Sequence, residues 1–339
     1  MTLVTETPLA PKLTGRPRVV VTRRLLPSVE ARMAELFDAE FNPDDTPMTR
    51  AELAAAMQRC DVLVPAVTDR IDADLIAEAG ETLGLIANFG AGTEHIDVAA
   101  AHRRGIVVTN TPAVFTEDTA DLTFALILFV SRRFMENSRI LQEGRWRGWG
   151  PSEMLGMSLH GKRLGIVGMG RIGQAVARRA SAFGMEATYH NRHRLPEAIE
   201  AEFAALYEAD LDALFAGSDV VTLHCPARPG GAPLVDARCL SLMKPTASLI
   251  NTGRGSLVDE DALIAALTEN RIAGAGLDVF AREPEVDPRL LALPNLVALP
   301  HLGSATFEGR QAAGERIIAN IRFWADGHRP PDQVLPELA

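Results

Sequence analysis

The stretch RLGIVGMGRIGQAVARRA, residues 163–180, decides the fold. A short β-branched run, RLGIVG, leads into Gly168-Met169-Gly170-Arg171-Ile172-Gly173, and an Ala- and Arg-rich helical stretch follows at once. A lone G-x-G-x-x-G is often only a turn. One that leaves a strand and opens a helix is a dinucleotide phosphate turn: Gly168 serves the tight turn, Gly170 the close approach of a pyrophosphate, and Gly173 the packing of helix on strand. Arg171 and Ile172 begin that helix, whose free N–H groups and partial positive charge favour phosphate.

Working outward, further strands are expected at 186–190, 219–223 (DVVTL), 247–250 (ASLI), 274–278 (GAGLD) and 296–299 (LVAL), six in all with 163–168. Six strands separated by helices is the count of a complete doubly wound parallel sheet, the Rossmann-type α/β class. Before it, VVVT (19–22), DVLVP (61–65), GLIANF (84–89) and GIVVTN (105–110) alternate with helical stretches, which predicts a smaller open α/β domain. Residues Glu117–Arg133 lack Gly and Pro and read as a mostly buried helix. The Gly-, Trp- and Pro-rich segment Gln142–Leu159 reads as a connecting arm. The helical pattern Ser304–Phe323 comes after the six strands are complete and is expected to cross back onto the first domain. The expected layout is a substrate domain of residues 1–113 and 304–339 with a dinucleotide-binding domain, 114–303, inserted into it.

Composition narrows the function. The chain has 339 residues, 47% apolar, with 34 Lys+Arg against 44 Asp+Glu, a net charge of −10. That is a folded chain of about two domains, and its acidic balance disfavours nucleic acid as a partner. The longest wholly apolar run, Phe124–Val130, is far short of the about 20 residues that span a membrane, so no membrane partner is expected. The N-terminal MTLVTETPLAPKLTGRPR lacks the continuous apolar core of an export signal. Cys60, Cys225 and Cys239 are odd in number and lack metal-ligand spacing, so they read as reduced thiols of a cytoplasmic protein, and no metal is expected.

The residues after the second strand choose the cofactor. An NAD site usually has a carboxylate there for the ribose hydroxyls, but Tyr189-His190-Asn191-Arg192-His193-Arg194 has none. Asn191 can bond a 2′-phosphate, and Arg192 and Arg194 can grip it, so NADP(H) is favoured over NAD(H).

In a doubly wound sheet the ligands sit beyond the carboxyl ends of the strands. Asn251-Thr252-Gly253-Arg254-Gly255 follows the fourth strand, Asp278 to Pro284 the fifth, and Pro300-His301-Leu302-Gly303 the sixth. An Arg, a carboxylate and a His at three consecutive strand ends suit hydride transfer to a 2-oxo acid. Arg254 can bind the substrate carboxylate and polarise its carbonyl, His301 can deliver the proton, and Glu283 can orient the imidazole and raise its pKa.

The runs ANFGAGTEHID (87–97), GIVVTNTP (105–112), GKRLGIVGMGRIG (161–173), LHCPARP (223–229), LINTGRGSLVDEDAL (249–263), AGAGLDVFAREP (273–284) and LPHLGSAT (299–306) resemble the D-isomer-specific 2-hydroxyacid dehydrogenase family over nearly the whole chain. Within it, the Trp146/Trp149 arm and the Asn-Arg loop look most like the NADPH-dependent glyoxylate and hydroxypyruvate reductases. The resemblance implies a flavodoxin-like substrate domain around the inserted Rossmann-type one. It implies Arg254, Glu283 and His301 as catalytic residues, and Cys225, Pro226, Thr252, Asp278 and Gly303 along the cofactor, with Asp278 near the nicotinamide carboxamide. It further implies that the backbone of Ala91 and Gly92 binds the substrate carboxylate. Small residues at Gly90-Ala91-Gly92 suit such an N–H nest. Glu94 stands where many relatives have Asp.

The substrate expected is a small anionic 2-oxo or 2-hydroxy acid, with the loop Val64–Thr68, Val67 included, facing its pocket. A D-3-phosphoglycerate-type dehydrogenase and a non-catalytic cofactor-sensing binding protein stay open as other readings. The large apolar side chains of the arm between Glu143 and Leu155 would be covered by a twofold partner, so a homodimer is expected.

Overall fold

The computed structural model describes residues 14–227 and 230–336. Most of the N-terminal segment read against an export signal, and Arg228 and Pro229 of the LHCPARP run, lie outside the described residues. The described chain divides into two compact units, one within Met1–Phe115 and Thr306–Ala339, the other within Thr116–Ala305.

The first unit holds β1 (Arg18–Val21), β2 (Asp38–Glu40), β3 (Val62–Val64), β4 (Leu85–Ala87) and β5 (Val107–Thr109). The second holds β6 (Arg163–Val167), β7 (Glu186–His190), β8 (Ala205–Tyr207), β9 (Val220–Leu223), β10 (Ser248–Asn251), β11 (Gly274–Leu277) and β12 (Leu296–Ala298), after which the chain returns to the first unit for β13 (Gln333–Val334).

The first sheet runs β13-β5-β4-β3-β1-β2. Its five earlier strands are parallel in the flavodoxin-like 2-1-3-4-5 order, and β13 closes the β5 edge antiparallel. Side chains alternate between two apolar faces, as the two-residue period of a strand requires. Val20, Leu63, Ile86 and Val108 face the helices Arg50–Arg59, Ala73–Ala77 and Val98–Arg103. Val19, Val21, Val62, Val64, Leu85 and Ala87 share the other face with helix Pro27–Leu36 and with Ile317, Ile318, Ile321 and Trp324 of the tail helix Phe307–Ala325. Burying each large side chain of this kind contributes about 1.5–3 kcal/mol. The tail packs closely: a Cβ on Gly84 would run into the Trp324 ring and one on Gly314 into Val29.

The second sheet, β12-β11-β10-β9-β6-β7-β8, is parallel throughout and has seven strands instead of the six expected. The extra strand, β8, is an edge strand of only three residues, Ala205 buried and Leu206 exposed, too short for a two-residue alternation to be read. β2 and β13 escaped the sequence reading for the same reason, being short and largely polar or antiparallel edges. Helices Thr116–Ser131 and Arg171–Ala182 cover one face, while Leu211–Gly217, Ala237–Leu242 and Glu260–Thr268 cover the other. The sheet order reverses between β6 and β9, which is the switch point where such folds bind ligands. No described helix is long and apolar enough to cross a membrane.

Candidate functional site

Each glycine of the phosphate turn meets a different constraint. Gly168 sits at φ +99°, in the left-handed region, and a Cβ there would lie 2.5 Å from the Cys225 nitrogen and 2.6 Å from the His224 carbonyl carbon. The peptide at the end of β9 thus presses on the turn across the switch point. A Cβ on Gly173 would strike the Gly168 oxygen, so this glycine lets the helix seat against the strand. A Cβ on Gly170 would meet nothing within 4 Å. That open ground at the N-terminus of helix Arg171–Ala182 is where an anion can reach backbone N–H groups, and it suits a pyrophosphate. His224 adds no charge, since burial pushes its imidazole down to about 3.

The loop after β7 lies beside this turn. Asn191 Oδ1 accepts from the Met169 N–H at 2.8 Å and ties the two loops together. Arg194 donates to both Glu200 oxygens, at 2.9 and 2.8 Å, and its guanidinium lies 5.9 Å from the Tyr207 ring centre. Glu200 also accepts from Tyr189 Oη at 2.8 Å. Arg192 is exposed and makes no ion pair among the described residues. The basic loop therefore holds one committed arginine and one uncommitted one. Cys225 is half-buried and Pro226 exposed at the end of β9.

The loops after β10, β11 and β12 are neighbours because those strands are. Asn251 shapes the first loop: its Nδ2 donates to the Arg254 carbonyl at 2.8 Å and its Oδ1 accepts from the Gly253 N–H at 3.0 Å. Arg254 is half-buried. A Cβ on Gly255 would overlap the Phe280 carbonyl carbon, so the Arg254 loop rests directly on the loop that carries Glu283. Thr252 is buried, its Oγ1 2.8 Å from Thr123 Oγ1.

Glu283 and His301 meet at 2.6 Å between Oε2 and Nδ1. Glu283 Oε1 accepts from the Phe280 N–H at 2.8 Å, which aims the carboxylate. Burial opposes the charged form of Glu283. The bonds from His301 and Phe280 and the charges of His301 and Arg254 outweigh it, leaving the carboxyl below its ordinary range. The bond to Glu283 holds the His301 imidazole above its usual value, against the smaller opposing effect of burial. With Nδ1 engaged, Nε2 is the nitrogen left to exchange a proton.

Asp278 builds the loop under that histidine. Its carboxylate accepts from the Leu302 N–H at 2.7 Å and the Gly303 N–H at 2.8 Å, while its carbonyl accepts from the His301 N–H at 2.9 Å. Gly303 is held further by its carbonyl, which accepts from Thr119 Oγ1 at 3.0 Å. These bonds fix His301 at φ +54°, a left-handed conformation that costs a non-glycine residue about 1–3 kcal/mol. Burial outweighs the two N–H donors and leaves the Asp278 carboxyl above its ordinary value.

In the first unit, Ala91 and Gly92 follow β4, and Val67 follows β3 with its side chain exposed. Asp69 braces the Val67 loop, taking the Ala66 N–H at 2.8 Å and the Thr22 hydroxyl at 2.5 Å. The carbonyls of Gly90 and Gly92 accept from Asn88 Nδ2 at 3.1 and 2.8 Å, and that of Ala91 from Asn110 Nδ2 at 2.7 Å. The sequence reading passed over both asparagines. Their signal was there, since each stands at the carboxyl end of one of two adjacent strands. Among the described residues no group of three or more His, Cys, Asp or Glu is placed to hold a metal.

Comparison with known proteins gives the family. Residues 124–303 match the family profile described as the NAD binding domain of D-isomer specific 2-hydroxyacid dehydrogenase. The chain is 43% identical over 323 residues to the glyoxylate reductase of Thermococcus litoralis, covering 94% of this chain and 97% of that one. Among solved structures it is similar to the NADPH-dependent glyoxylate/hydroxypyruvate reductase of Sinorhizobium meliloti in complex with NADP and malonate, with a TM-score of 0.84, 35% identity, and 96% and 98% of the two chains covered. It is likewise similar to a glyoxylate reductase from Paecilomyes thermophila, with a TM-score of 0.84, 30% identity, and 96% and 100% covered.

Proposed function

Because the chain belongs to the D-isomer specific 2-hydroxyacid dehydrogenase family, we propose that it reduces a small 2-oxo acid of the glyoxylate or hydroxypyruvate type to the 2-hydroxy acid, the D isomer where that carbon is chiral, with NADPH preferred to NADH. The observation that carries this reading is the 2.6 Å His301–Glu283 pair at neighbouring strand ends, with Arg254 on the next strand of the same edge.

The turn Gly168–Gly173, with the N–H groups of Arg171 and Ile172, holds the pyrophosphate. Asn191, Arg192 and Arg194 form the 2′-phosphate side, and Arg192 carries the larger share because Glu200 already engages Arg194. Cys225, Pro226, Thr252, Asp278 and Gly303 flank the nicotinamide half. When bound, the reduced cofactor supplies the hydride. Arg254 and the Ala91 and Gly92 N–H groups bind the substrate carboxylate, Arg254 also polarises the carbonyl, and Val67 borders the side-chain pocket. His301 Nε2 delivers the proton to the carbonyl oxygen, and Glu283 at Nδ1 keeps the imidazole charged until then.

Two properties complete the proposal. The arm exposes Trp146 (52%), Trp149 (83%) and Leu155 (62%), and helix Phe134–Gln142 buries no residue, so a second copy of the chain covers them in a homodimer. The protein works in the cytoplasm, which suits its three unpaired cysteines. The test follows NADPH oxidation with glyoxylate, hydroxypyruvate, pyruvate and a bulky aromatic 2-oxo acid, then repeats the series with NADH. Glyoxylate or hydroxypyruvate with NADPH should give the highest kcat/KM. Absence of turnover with every pair, or clear preference for the aromatic acid, would overturn the reading.

A further inference from the structure

Three successive backbone carbonyls after β4 are turned the same way by side-chain amides, and this has a consequence for the N–H groups between them. The Asn88 side chain is fully used. Nδ2 donates both its protons, to Gly90 and Gly92 carbonyls at 3.1 and 2.8 Å, so Oδ1 is the atom that faces His95 Nε2 at 2.9 Å, and Nε2 must carry the hydrogen. Asn110, at the end of the adjacent strand β5, takes the carbonyl between them with Nδ2 at 2.7 Å. The Gly90 carbonyl also accepts from the Thr111 N–H at 2.9 Å. In a planar trans peptide the N–H points opposite to the C=O of the preceding residue. With the Gly90 and Ala91 carbonyls drawn toward the sheet edge, the N–H groups of Ala91 and Gly92 are directed away from it, and neither has an acceptor among the described residues.

We propose that Asn88 and Asn110 are positioning residues for the carboxylate-binding nest: their amides hold the 90–92 carbonyls inward so that the Ala91 and Gly92 N–H groups meet the substrate carboxylate. This deepens the proposed function and rests on its assignment of that nest. The amide is required by chemistry as well as by shape. Asp at position 88 has the same outline but no donor, so it would set a carboxylate oxygen against two carbonyls and release the loop. It would also bring a negative charge to a place that binds an anion.

The test uses the full-length protein and the isosteric variants Asn88→Asp and Asn110→Asp, with Asn88→Gln as a conservative variant that keeps the amide. Steady-state KM and kcat for glyoxylate are measured with NADPH, together with NADPH affinity by fluorescence. In parallel, oxalate is titrated into protein labelled with 15N-alanine and 15N-glycine, and the Ala91 and Gly92 amide signals are followed. The expected result is a KM raised tenfold or more in Asn88→Asp, a smaller rise in Asn110→Asp, partial recovery in Asn88→Gln, and kcat and NADPH affinity within threefold of the wild type. Oxalate should shift the Ala91 and Gly92 signals in the wild type and not in Asn88→Asp. A KM within twofold of the wild type in both Asp variants overturns the proposal, as does a parallel loss of KM, kcat and cofactor affinity. The two readings separate cleanly: wild type that turns over no 2-oxo acid yet shows the oxalate shift sinks the reductase assignment and leaves the nest standing.

Discussion

Gly170→Ala isolates the part of the phosphate turn that exists for a ligand. Gly170 has φ −79° and ψ −162°, a conformation open to alanine, and its Cβ would meet nothing within 4 Å. Two small effects on the ligand-free protein oppose one another. Alanine restricts the unfolded chain, which stabilises by about 0.4–1 kcal/mol. Alanine is also a poorer helix N-cap than glycine, a loss of roughly the same size. The melting temperature without ligand should therefore stay within about 2 °C of the wild type. Cofactor binding should not survive as well, because the new methyl stands where the backbone must admit a pyrophosphate. Losing that approach should weaken NADPH by about 10- to 100-fold, roughly 1.4–2.8 kcal/mol. Gly173→Ala is the control, since its Cβ strikes the Gly168 carbonyl inside the protein. Overpacking of that kind costs about 1–3 kcal/mol, which is roughly 2–12 °C for a unit of this size, ligand or no ligand. Thermal scans with and without NADPH, plus calorimetric titration, read both variants. If Gly170→Ala bound NADPH like the wild type, or melted as low as Gly173→Ala when free, the assignment of this glycine to the pyrophosphate would be wrong.

Glu283→Gln should remove the partner that keeps His301 protonated. In the proposed mechanism reduction needs the charged imidazole, so its rate should fall as pH rises through the raised pKa of His301, and in the variant that fall should move to lower pH. Stability has matching signs. The His301 contribution is full below the unfolded imidazole value and lost as pH rises through the folded one. The Glu283 contribution is present above the unfolded carboxyl value and lost as pH falls through its lowered folded value. Kinetic profiles and melts across pH read both effects, and an unmoved rate profile would count against the pairing. Arg192→Ala should cost NADPH about 10-fold or more in Kd while leaving NADH nearly unchanged; equal losses for both would refute its contact with the 2′-phosphate. Replacing Trp146 and Trp149 together by Glu should give monomers in light scattering, and a mass unchanged from the wild type would place the subunit contact elsewhere.

The sequence was most legible where one residue type answers one physical need. The two sheets were readable because strands covered on both faces are runs of Val, Ile and Leu, as at Val19–Val21 and Val62–Val64. The edges were not, because β8 and β13 are only three and two residues long, too short to show a strand period, and form by pairing with a neighbouring strand. At the candidate site, Arg254, Glu283 and His301 could be read as side chains with a chemistry. Asn88, Asn110, Asp278 and Glu200 work by bonding to backbone or to another side chain, and that depends on distances between strands that no local pattern encodes. Asp278 shows the difference well. Its place after β11 was visible, but the two N–H groups it collects from Leu302 and Gly303 became visible only in three dimensions.

The return of the tail to the first unit sets an order for making the protein. One face of the first sheet is closed by Ile317, Ile318, Ile321 and Trp324, and the β5 edge by β13. A growing chain translates all of Thr116–Ala305 between the two pieces. At about 5–20 residues per second, the earlier strands wait roughly 10–40 s with one apolar face only partly covered, by helix Pro27–Leu36, and a strand edge open. The unit encoded within one continuous stretch can fold during that interval. A chain cut short before residue 307 would carry a finished second unit joined to a first unit left open and prone to aggregate. A nick in the last thirty residues is thus more damaging than its distance from the candidate catalytic residues would imply.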